Sequence, residues 1–302
     1  MFRALALSRL MRVHNIFTAF ADVWAGYFIV IPLSEVSWRQ VVGLLIASGC
    51  VYSAGMVFND VFDVERDRQL HPSRPLPSGR VSVRAAAMFA GLLQVIGVGA
   101  AAFGGAASPL VAAIIVALTF SYNGWLKKYR WVGSANMAAC RFGNMALGMS
   151  AGMTTDWLWP LREATSHAEW VFPALLFLYV FVVTVVSTLE ESPRVRVPLA
   201  VLLAALVGVM ALLACGLECN RDLGLKLLGV LALWILVTAV PAFRHPTPPN
   251  VGQIIRVSLT GIIIFDACML LGVGQATAGQ MLIVAIVPTY LIGRLLRPGT
   301  GS

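Results

Sequence analysis

Long apolar runs, separated by short polar connections, dominate the pattern of hydrophobic and polar positions along the chain. A helix needs about 20 apolar residues to cross the hydrocarbon core of a bilayer, and ten runs approach that length. They cover approximately residues 13–31, 40–61, 82–104, 108–126, 132–153, 169–189, 197–217, 222–243, 253–273 and 276–296. The pattern predicts an all-α, polytopic membrane bundle of nine or ten transmembrane helices, since the last two runs could be merged or half-inserted. We expect a single membrane domain over residues 1–302.

Composition supports the same class of protein. The chain is 59% hydrophobic and 12% charged, whereas soluble domains average about 25% charged residues. The first apolar run lacks a small-residue cleavage site and leads into further runs, so we interpret it as a retained helix rather than a signal peptide. The cysteines lie mostly inside apolar runs without metal-ligand spacing, which is typical of small buried side chains.

Basic residues between the apolar runs favour one orientation in the membrane. With the N-terminus placed inside, most of the 22 Lys and Arg residues fall on the inner side. The outer connections contain only Arg39, Arg162, Arg221 and Lys226. Because basic residues favour the cytoplasmic side, we expect both termini to be cytoplasmic and the bilayer to be a bacterial inner membrane. The net charge of +8 then reflects topology and a phosphate-handling face, not nucleic-acid binding.

Acidic and amide side chains are concentrated at the end of the second apolar run. Asn59, Asp63 and Asp67 are spaced i, i+4, i+8, so on a helix they project from one face, with Asp60 beside them. A charge at a membrane centre costs about 2.5–3.5 kcal/mol on insertion scales, which makes such a cluster unexpected without a function. Hard carboxylate and amide oxygens are ligands that Mg²⁺ prefers, especially when it bridges to a phosphate. The cluster predicts a diphosphate-handling enzyme at a membrane surface.

A proline-rich basic connection follows the acidic cluster, over residues 62–81. Its prolines and Gly79 prevent a continuous helix, and its arginines present guanidinium forks that suit phosphate oxygens. These arginines are Arg68, Arg74 and Arg80. Alternating carboxylates and arginines indicate a site where metal ions and a diphosphate lie between them. The alternative is a positive-inside loop whose acids only form ion pairs with its arginines.

The same stretch resembles the first signature motif of the UbiA superfamily of intramembrane prenyltransferases. The matching residues are Asn59-Asp60-x-x-Asp63-x-x-x-Asp67-Arg68, followed by Arg74-Pro75-Leu76-Pro77-Ser78-Gly79. Members of that superfamily are all-helical bundles that transfer a prenyl group from a polyprenyl diphosphate to acceptors such as aromatic acids, quinone precursors, tetrapyrroles or glycerol phosphates. The resemblance implies that Asn59, Asp63 and Asp67 bind Mg²⁺, and that Arg68 and Arg74 contact the diphosphate.

The resemblance continues along most of the chain. Residues 12–27 are similar to the opening helix of the family, although His14 stands where the family usually has proline. The end of the predicted fourth helix resembles a family segment that touches the diphosphate. The corresponding residues are Tyr122, Lys127 and Lys128. In the predicted fifth helix, Arg141 and Asn144 fall where the family places polar cavity residues.

The second acidic motif departs from the usual form in the family. The family typically has two aspartates spaced i, i+4 after its sixth helix, whereas this chain has Glu190 and Glu191. Adjacent residues on a helix diverge by about 100°, so both glutamates cannot copy that pair, and one of them is a candidate ligand for a second Mg²⁺. The departure also resembles the divergent EboC-like branch of the superfamily.

Charged residues deep inside apolar runs usually face a cavity or a partner. Asp22 is a candidate either for lining an acceptor cavity or for a helix-packing hydrogen bond. A structural role is favoured for Asp266, and Arg141 is expected to pair with a diphosphate or an aspartate. Asn15 and Asn144 complete the candidate acceptor cavity.

The residues and the resemblance together predict a Mg²⁺-dependent prenyltransferase of the membrane. It would transfer a prenyl group from a polyprenyl diphosphate to an unidentified acceptor. Asp60 is a further candidate Mg²⁺ ligand, and Mg²⁺, Arg141 and the basic residues would stabilise the departing diphosphate. The alternative is a catalytically weak or inactive protein of the same fold that binds an isoprenoid or lipid. A transporter is disfavoured, because the polar residues gather at one membrane face and no inverted repeat with broken helices is visible.

Overall fold

The computed structural model describes residues 10–153, 168–189, 196–288 and 291, and the regular elements of these residues are helices. Every one of the ten predicted runs contains a helix, and a short additional helix follows the second. The helices are α1 (Ile16–Val30), α2 (Trp38–Phe62), α3 (Val64–Leu70), α4 (Val83–Ala101), α5 (Ser108–Gly124), α6 (Arg130–Met149), α7 (Val171–Ser187), α8 (Arg196–Cys215), α9 (Arg221–Arg244), α10 (Pro248–Gly272) and α11 (Ala276–Val284). The prediction of an all-α bundle is confirmed.

Length and composition make this a membrane protein. Within the described ranges, five helices are long and apolar enough to cross a bilayer, namely α2, α4, α8, α9 and α10. The apolar helices α1, α5 and α7 are shorter. Helix α6 buries several polar side chains, among them Asn136, Arg141 and Asn144. In a bilayer, a helix of this kind needs protein neighbours around its polar positions.

Helix α1 is one of the neighbours of α6 that contact its polar side chains. It packs against α2, α6 and α10, while α5 packs against both α2 and α6. The four helices α1, α2, α5 and α6 therefore surround a common interior space. Helix α7 continues the bundle from α6 to α8, and α9 packs along α10.

Two glycines allow α1 and α6 to approach at backbone distance. A Cβ atom on Gly26 would collide with the carbonyl oxygen of Met145, and a Cβ atom on Gly148 would collide with the carbonyl oxygen of Val23. Small residues at helix contacts permit this kind of close packing in membranes. The consequence for function is that polar side chains of the two helices can meet directly.

The acidic cluster stands at a break between two helices rather than on one straight helix. Helix α2 ends at Phe62, Asp63 has φ −93° and ψ 3°, and α3 begins at Val64. The amide of Asp63 still donates to the Asn59 carbonyl at 3.0 Å, and the amide of Asp67 donates to the Asp63 carbonyl at 2.8 Å. The predicted single stripe is therefore bent at Asp63, although its hydrogen-bonded spacing is retained.

Candidate functional site

A cavity of about 150 Å³ lies between α1, α2, α5 and α6. Its middle is apolar, where Val51, Met56 and Ile115 line it together with other aliphatic side chains. Polar groups line both of its ends. One end contains Arg12, Asn59 and Tyr122, and the other contains Ser48, Arg141 and Asn144. We call the first end the mouth, because it adjoins the acidic cluster, and the second the inner end.

Three ion pairs surround the mouth and join distant parts of the chain. Asp60 Oδ1 lies 3.4 Å from Arg12 Nη2, and Asp67 Oδ2 lies 2.7 Å from Arg74 Nη1. Asp63 Oδ1 lies 2.7 Å from Lys127 Nζ. The bases come from the start of the first helix, the proline-rich connection and the link between α5 and α6. The fold thus brings three acids and three bases together beside one cavity.

Burial makes two of these carboxylates more than solvated surface charges. The side chain of Asp67 is 5% exposed and that of Asp60 is 10% exposed. A buried carboxylate that lost its basic partner would carry a large desolvation cost. If an anion binds the bases in place of these acids, the acids therefore need another positively charged partner, such as a cation that binds with the anion. This property suits a site that binds a metal ion together with a diphosphate.

The predicted basic residues separate into two groups in the structure. Arg74 and Lys127 join the acids, and Tyr122 lines the cavity. Arg68 instead pairs with Glu65 at 2.6 Å, on the exposed side of α3. The structure therefore does not bring Arg68 to the buried acids. Lys128 follows Lys127 in a short 3₁₀ turn over Leu126–Lys128 and is not part of the cavity lining.

Arg12 is a site residue that the sequence prediction did not single out. It lines the cavity and pairs with Asp60. Its backbone has φ 48° and ψ 49°, the left-handed region, which is strained for a residue with a Cβ atom and is found at functional sites. The available signal was an arginine at the start of the segment that resembles the opening helix of the family.

The inner end of the cavity is organised by a buried ion pair between α1 and α6. Arg141 Nη2 donates to Asp22 Oδ1 at 2.8 Å and to the Thr18 carbonyl at 2.8 Å. Asn144 Nδ2 donates to Asp22 Oδ2 at 3.1 Å, and Ser48 Oγ donates to Asn144 Oδ1 at 2.8 Å. Both carboxylate oxygens of Asp22 are thereby satisfied.

The contacts in this network bear on the alternatives left open for Asp22 and Arg141. Asp22 is fully buried behind Arg141 and is not among the residues that line the cavity, which favours the helix-packing alternative. Of the two partners expected for Arg141, a diphosphate or an aspartate, the structure shows an aspartate. Asn144 lines the cavity. Asn15 lies within hydrogen-bonding reach of Tyr52, which is also a lining residue.

The mouth contains side-chain oxygen atoms that could bind a metal ion. Within the part of the chain that the structure describes, no three His, Cys, Asp or Glu side chains form a preassembled metal-binding group. Asn59 supplies an amide oxygen at the cavity and the neighbouring acids supply carboxylate oxygens. These donors suit Mg²⁺, which usually takes one or two carboxylates and completes its shell with water and substrate phosphates. Glu190 and Glu191 lie outside the described residues.

Comparison with protein families finds a match to the family model of the UbiA prenyltransferase family over residues 19–251. Digeranylgeranylglyceryl phosphate synthase of Sulfolobus acidocaldarius is 32% identical over 162 residues, 49% of this chain and 54% of that protein. The synthase of the same name from Sulfurisphaera tokodaii is 29% identical over 133 residues, 44% of this chain and 48% of that protein. The chain thus spans about half the length of these curated relatives.

Solved structures share the fold. A UbiA homolog from Aeropyrum pernix K1 in its apo form superposes with a TM-score of 0.64 at 20% identity, covering 85% of this chain and 97% of that one. A UbiA homolog from Archaeoglobus fulgidus bound to GPP and Mg²⁺ superposes with a TM-score of 0.59 at 15% identity, covering 85% and 99%. At these identities the likeness shows the fold alone.

Proposed function

Because this chain belongs to the UbiA prenyltransferase family, we propose that it is a Mg²⁺-dependent prenyltransferase acting within the membrane. It takes the prenyl group from a polyprenyl diphosphate donor and transfers it to an acceptor. The observation that carries the proposal is the grouping of three acids and three bases at the mouth of an apolar cavity. A donor with an anionic head and an isoprenoid tail matches that change from charged to apolar.

The residues at the mouth fit a metal-bridged diphosphate. Asn59, Asp63 and Asp67 would hold Mg²⁺, which when bound neutralises the diphosphate and stabilises it as a leaving group. Arg12, Arg74 and Lys127 then exchange part of their contact with the acids for diphosphate oxygens. A UbiA homolog from Archaeoglobus fulgidus that binds GPP and Mg²⁺ supports the choice of donor and metal.

Side chains at the mouth and along the cavity wall then assist cleavage of the donor's C–O bond. The allylic C–O bond of the donor cleaves with its electron pair passing to the diphosphate, and the basic side chains bind the negative charge as it develops. The phenol of Tyr122, which lines the mouth, would donate a hydrogen bond to a diphosphate oxygen. The apolar wall formed by Val51, Met56 and Ile115 keeps water from the carbocation, so that the acceptor nucleophile forms the new bond and loses its proton.

The mouth is inferred to open on the cytoplasmic side. The basic residues around it belong to connections that are expected to be cytoplasmic, because positive residues favour that side. Placement of Arg12, Arg74 and Lys127 at one end of the cavity supports this inference. Labelling of single cysteines introduced at exposed positions 80 and 226 in intact cells tests it, since the two positions are expected on opposite sides.

A second candidate function is binding of an isoprenoid or lipid without transfer. The observation that favours it is that each acid at the mouth already has a basic partner, so the acidic cluster is stable without a ligand. The two functions differ in one product, because only a transferase releases diphosphate.

The test uses the purified full-length protein with prenyl diphosphates of increasing length, beginning with GPP, in the presence and absence of Mg²⁺. We expect Mg²⁺-dependent binding of at least one donor by the wild type, loss of that binding in Asp63→Ala, and retention in Asp222→Ala, an exposed control on α9. Equal binding by the wild type and Asp63→Ala would refute the proposal. Lipid extracts of cells with and without the gene then identify the acceptor from the missing prenylated product.

A further inference from the structure

Asp266 is an acidic side chain buried in the interior of the bundle. It lies in α10 and is fully buried. Among the described residues, no N–H or O–H group donates to either of its carboxyl oxygens. A buried polar group without a partner carries a desolvation cost, which is larger when the group is charged. It also lies beyond residues 19–251, the part matched by the family model.

The group that faces Asp266 is the carboxyl group of Asp22. The two side chains lie within hydrogen-bonding reach of each other, and α10 packs directly against α1. Two carboxyl groups can form a hydrogen bond only when one of them carries a proton, because an ionised carboxylate has no donor. Asp22 already accepts from Arg141 and Asn144. The donor of the carboxyl pair is therefore Asp266.

We propose that Asp266 is a positioning residue for the inner end of the cavity. Its carboxyl proton hydrogen-bonds to Asp22, and Asp22 in turn fixes the guanidinium of Arg141 and the amide of Asn144. The chain of contacts runs from α10 through α1 to α6, and its last two members line the cavity. The consequence for prenyl transfer rests on the proposed function, whereas the coupling between Asp266 and Arg141 does not.

Few hydrogen bonds orient the guanidinium of Arg141, so its position depends on Asp22. Its hydrogen bonds to described residues run through Nη2 alone, and its Nε is buried without a partner. One carboxylate and one carbonyl therefore determine the direction of the guanidinium. If Asp22 could rotate, Arg141 would lose its orientation at the cavity wall. The hydrogen bond from Asp266 would restrain Asp22 against that rotation.

The first test is a double-mutant cycle on thermal unfolding of the full chain in detergent. The variants are Asp266→Val, Arg141→Met and the double variant. If Asp266 acts on Arg141 through Asp22, their effects on Tm are non-additive by about 2 °C or more, because residues in one network are energetically coupled. Thr260→Val removes a hydroxyl that donates to the Arg256 carbonyl within its own helix, and its effect must be additive with that of Arg141→Met.

A second cycle pairs Asp266→Val with Asn144→Ala, so that a failure of Arg141→Met to fold does not prevent the measurement. Additive effects in the measurable cycle overturn the proposal. These results do not depend on any catalytic activity.

The second test measures transfer, or binding of GPP with Mg²⁺ if the acceptor is unknown. Asp266→Val is expected to lose about tenfold or more, since small misplacements at a site can cost up to about 100-fold. Asp266→Asn keeps a donor toward Asp22 and is expected to stay within about threefold of the wild type. Equal loss in both variants, or loss in neither, contradicts a positioning role. Absence of binding by the wild type itself would refute the proposed function instead.

Discussion

Lys127 Nζ lies 2.7 Å from Asp63 Oδ1, at the break between α2 and α3. The two residues are 64 positions apart in the chain, and about a fifth of each side chain is exposed to solvent. The pair is therefore accessible to a ligand entering at the cavity mouth, yet it holds the link between α5 and α6 against the end of α2. In the proposed function, the diphosphate would replace Asp63 as the partner of Lys127, and the metal ion would replace Lys127 as the partner of Asp63.

Replacement of Lys127 tests this role directly. Lys127→Ala is expected to weaken binding of GPP by about 10- to 100-fold, because one charge-assisted hydrogen bond contributes about 1.5–3 kcal/mol. Titration of the purified protein with GPP and Mg²⁺ measures the effect. Lys226→Ala, at an exposed position on α9, is the control and should bind as the wild type does. Unchanged affinity in Lys127→Ala would remove this residue from the site.

Arg12 allows backbone strain and side-chain chemistry to be separated. Its left-handed backbone suits glycine, so Arg12→Gly is expected to relieve strain of about 1–2 kcal/mol relative to Arg12→Ala. Both variants lack the guanidinium that pairs with Asp60 and should bind GPP with the same reduced affinity. Thermal unfolding and GPP titration of the two variants measure the two effects. If Arg12→Ala were as stable as Arg12→Gly, the strained backbone would have no energetic consequence.

The sequence predicts most of this fold because apolar length is a local property. Every predicted run contains a helix. Asn59 lines the mouth of the cavity, and Asp63 and Arg74 belong to the ion pairs around it. The bend at Asp63 was not predicted, because the one-face argument assumed a straight helix. The pairing of Arg12 with Asp60 was also missed. It depends on tertiary contact between residues 48 positions apart, which the spacing of residues within one helix does not reveal.

The inner end of the cavity shows the same limit. An aspartate partner for Arg141 was one of two expectations, but the sequence did not identify Asp22, 119 positions away. The contact depends on the close approach of α1 and α6 at Gly26 and Gly148. Glycine in a membrane helix indicates close packing in general without indicating the helix that approaches.

That close approach can be tested at Gly148. A Cβ atom there would collide with the carbonyl oxygen of Val23 and lie 2.7 Å from the amide nitrogen of Tyr27. Backbone atoms cannot move aside as side chains do, so Gly148→Ala is expected to destabilise the bundle by about 1–3 kcal/mol or more. Gly208→Ala in α8 is the matched control and should be neutral or stabilising. Apart from its own stretch of helix, no described heavy atom lies within 4 Å of its Cβ position. Tm measurements in detergent compare them, and equal behaviour of the two variants would argue against the close contact.

The buried pair of Asp22 and Arg141 allows stability and chemistry to be separated. Asp22→Asn leaves the guanidinium without its anionic partner in a buried place, and removal of one partner from a buried pair costs about 3–5 kcal/mol. Replacing both residues, as Asp22→Leu with Arg141→Met, removes the uncompensated charge and is expected to recover most of the lost Tm. Purely additive losses would show that the two residues do not act as a pair.

The double variant also gives the sharper functional result. Its fold is recovered, yet the cavity lacks the cationic side chain at its inner end. We expect transfer to stay at least about tenfold below the wild type, because a charged hydrogen bond at a water-excluded site contributes about 2.7–4 kcal/mol when it acts in the transition state. Activity that returned together with Tm would mean that Arg141 serves only to hold α1 and α6 together, since the inner end would then need no charge to work.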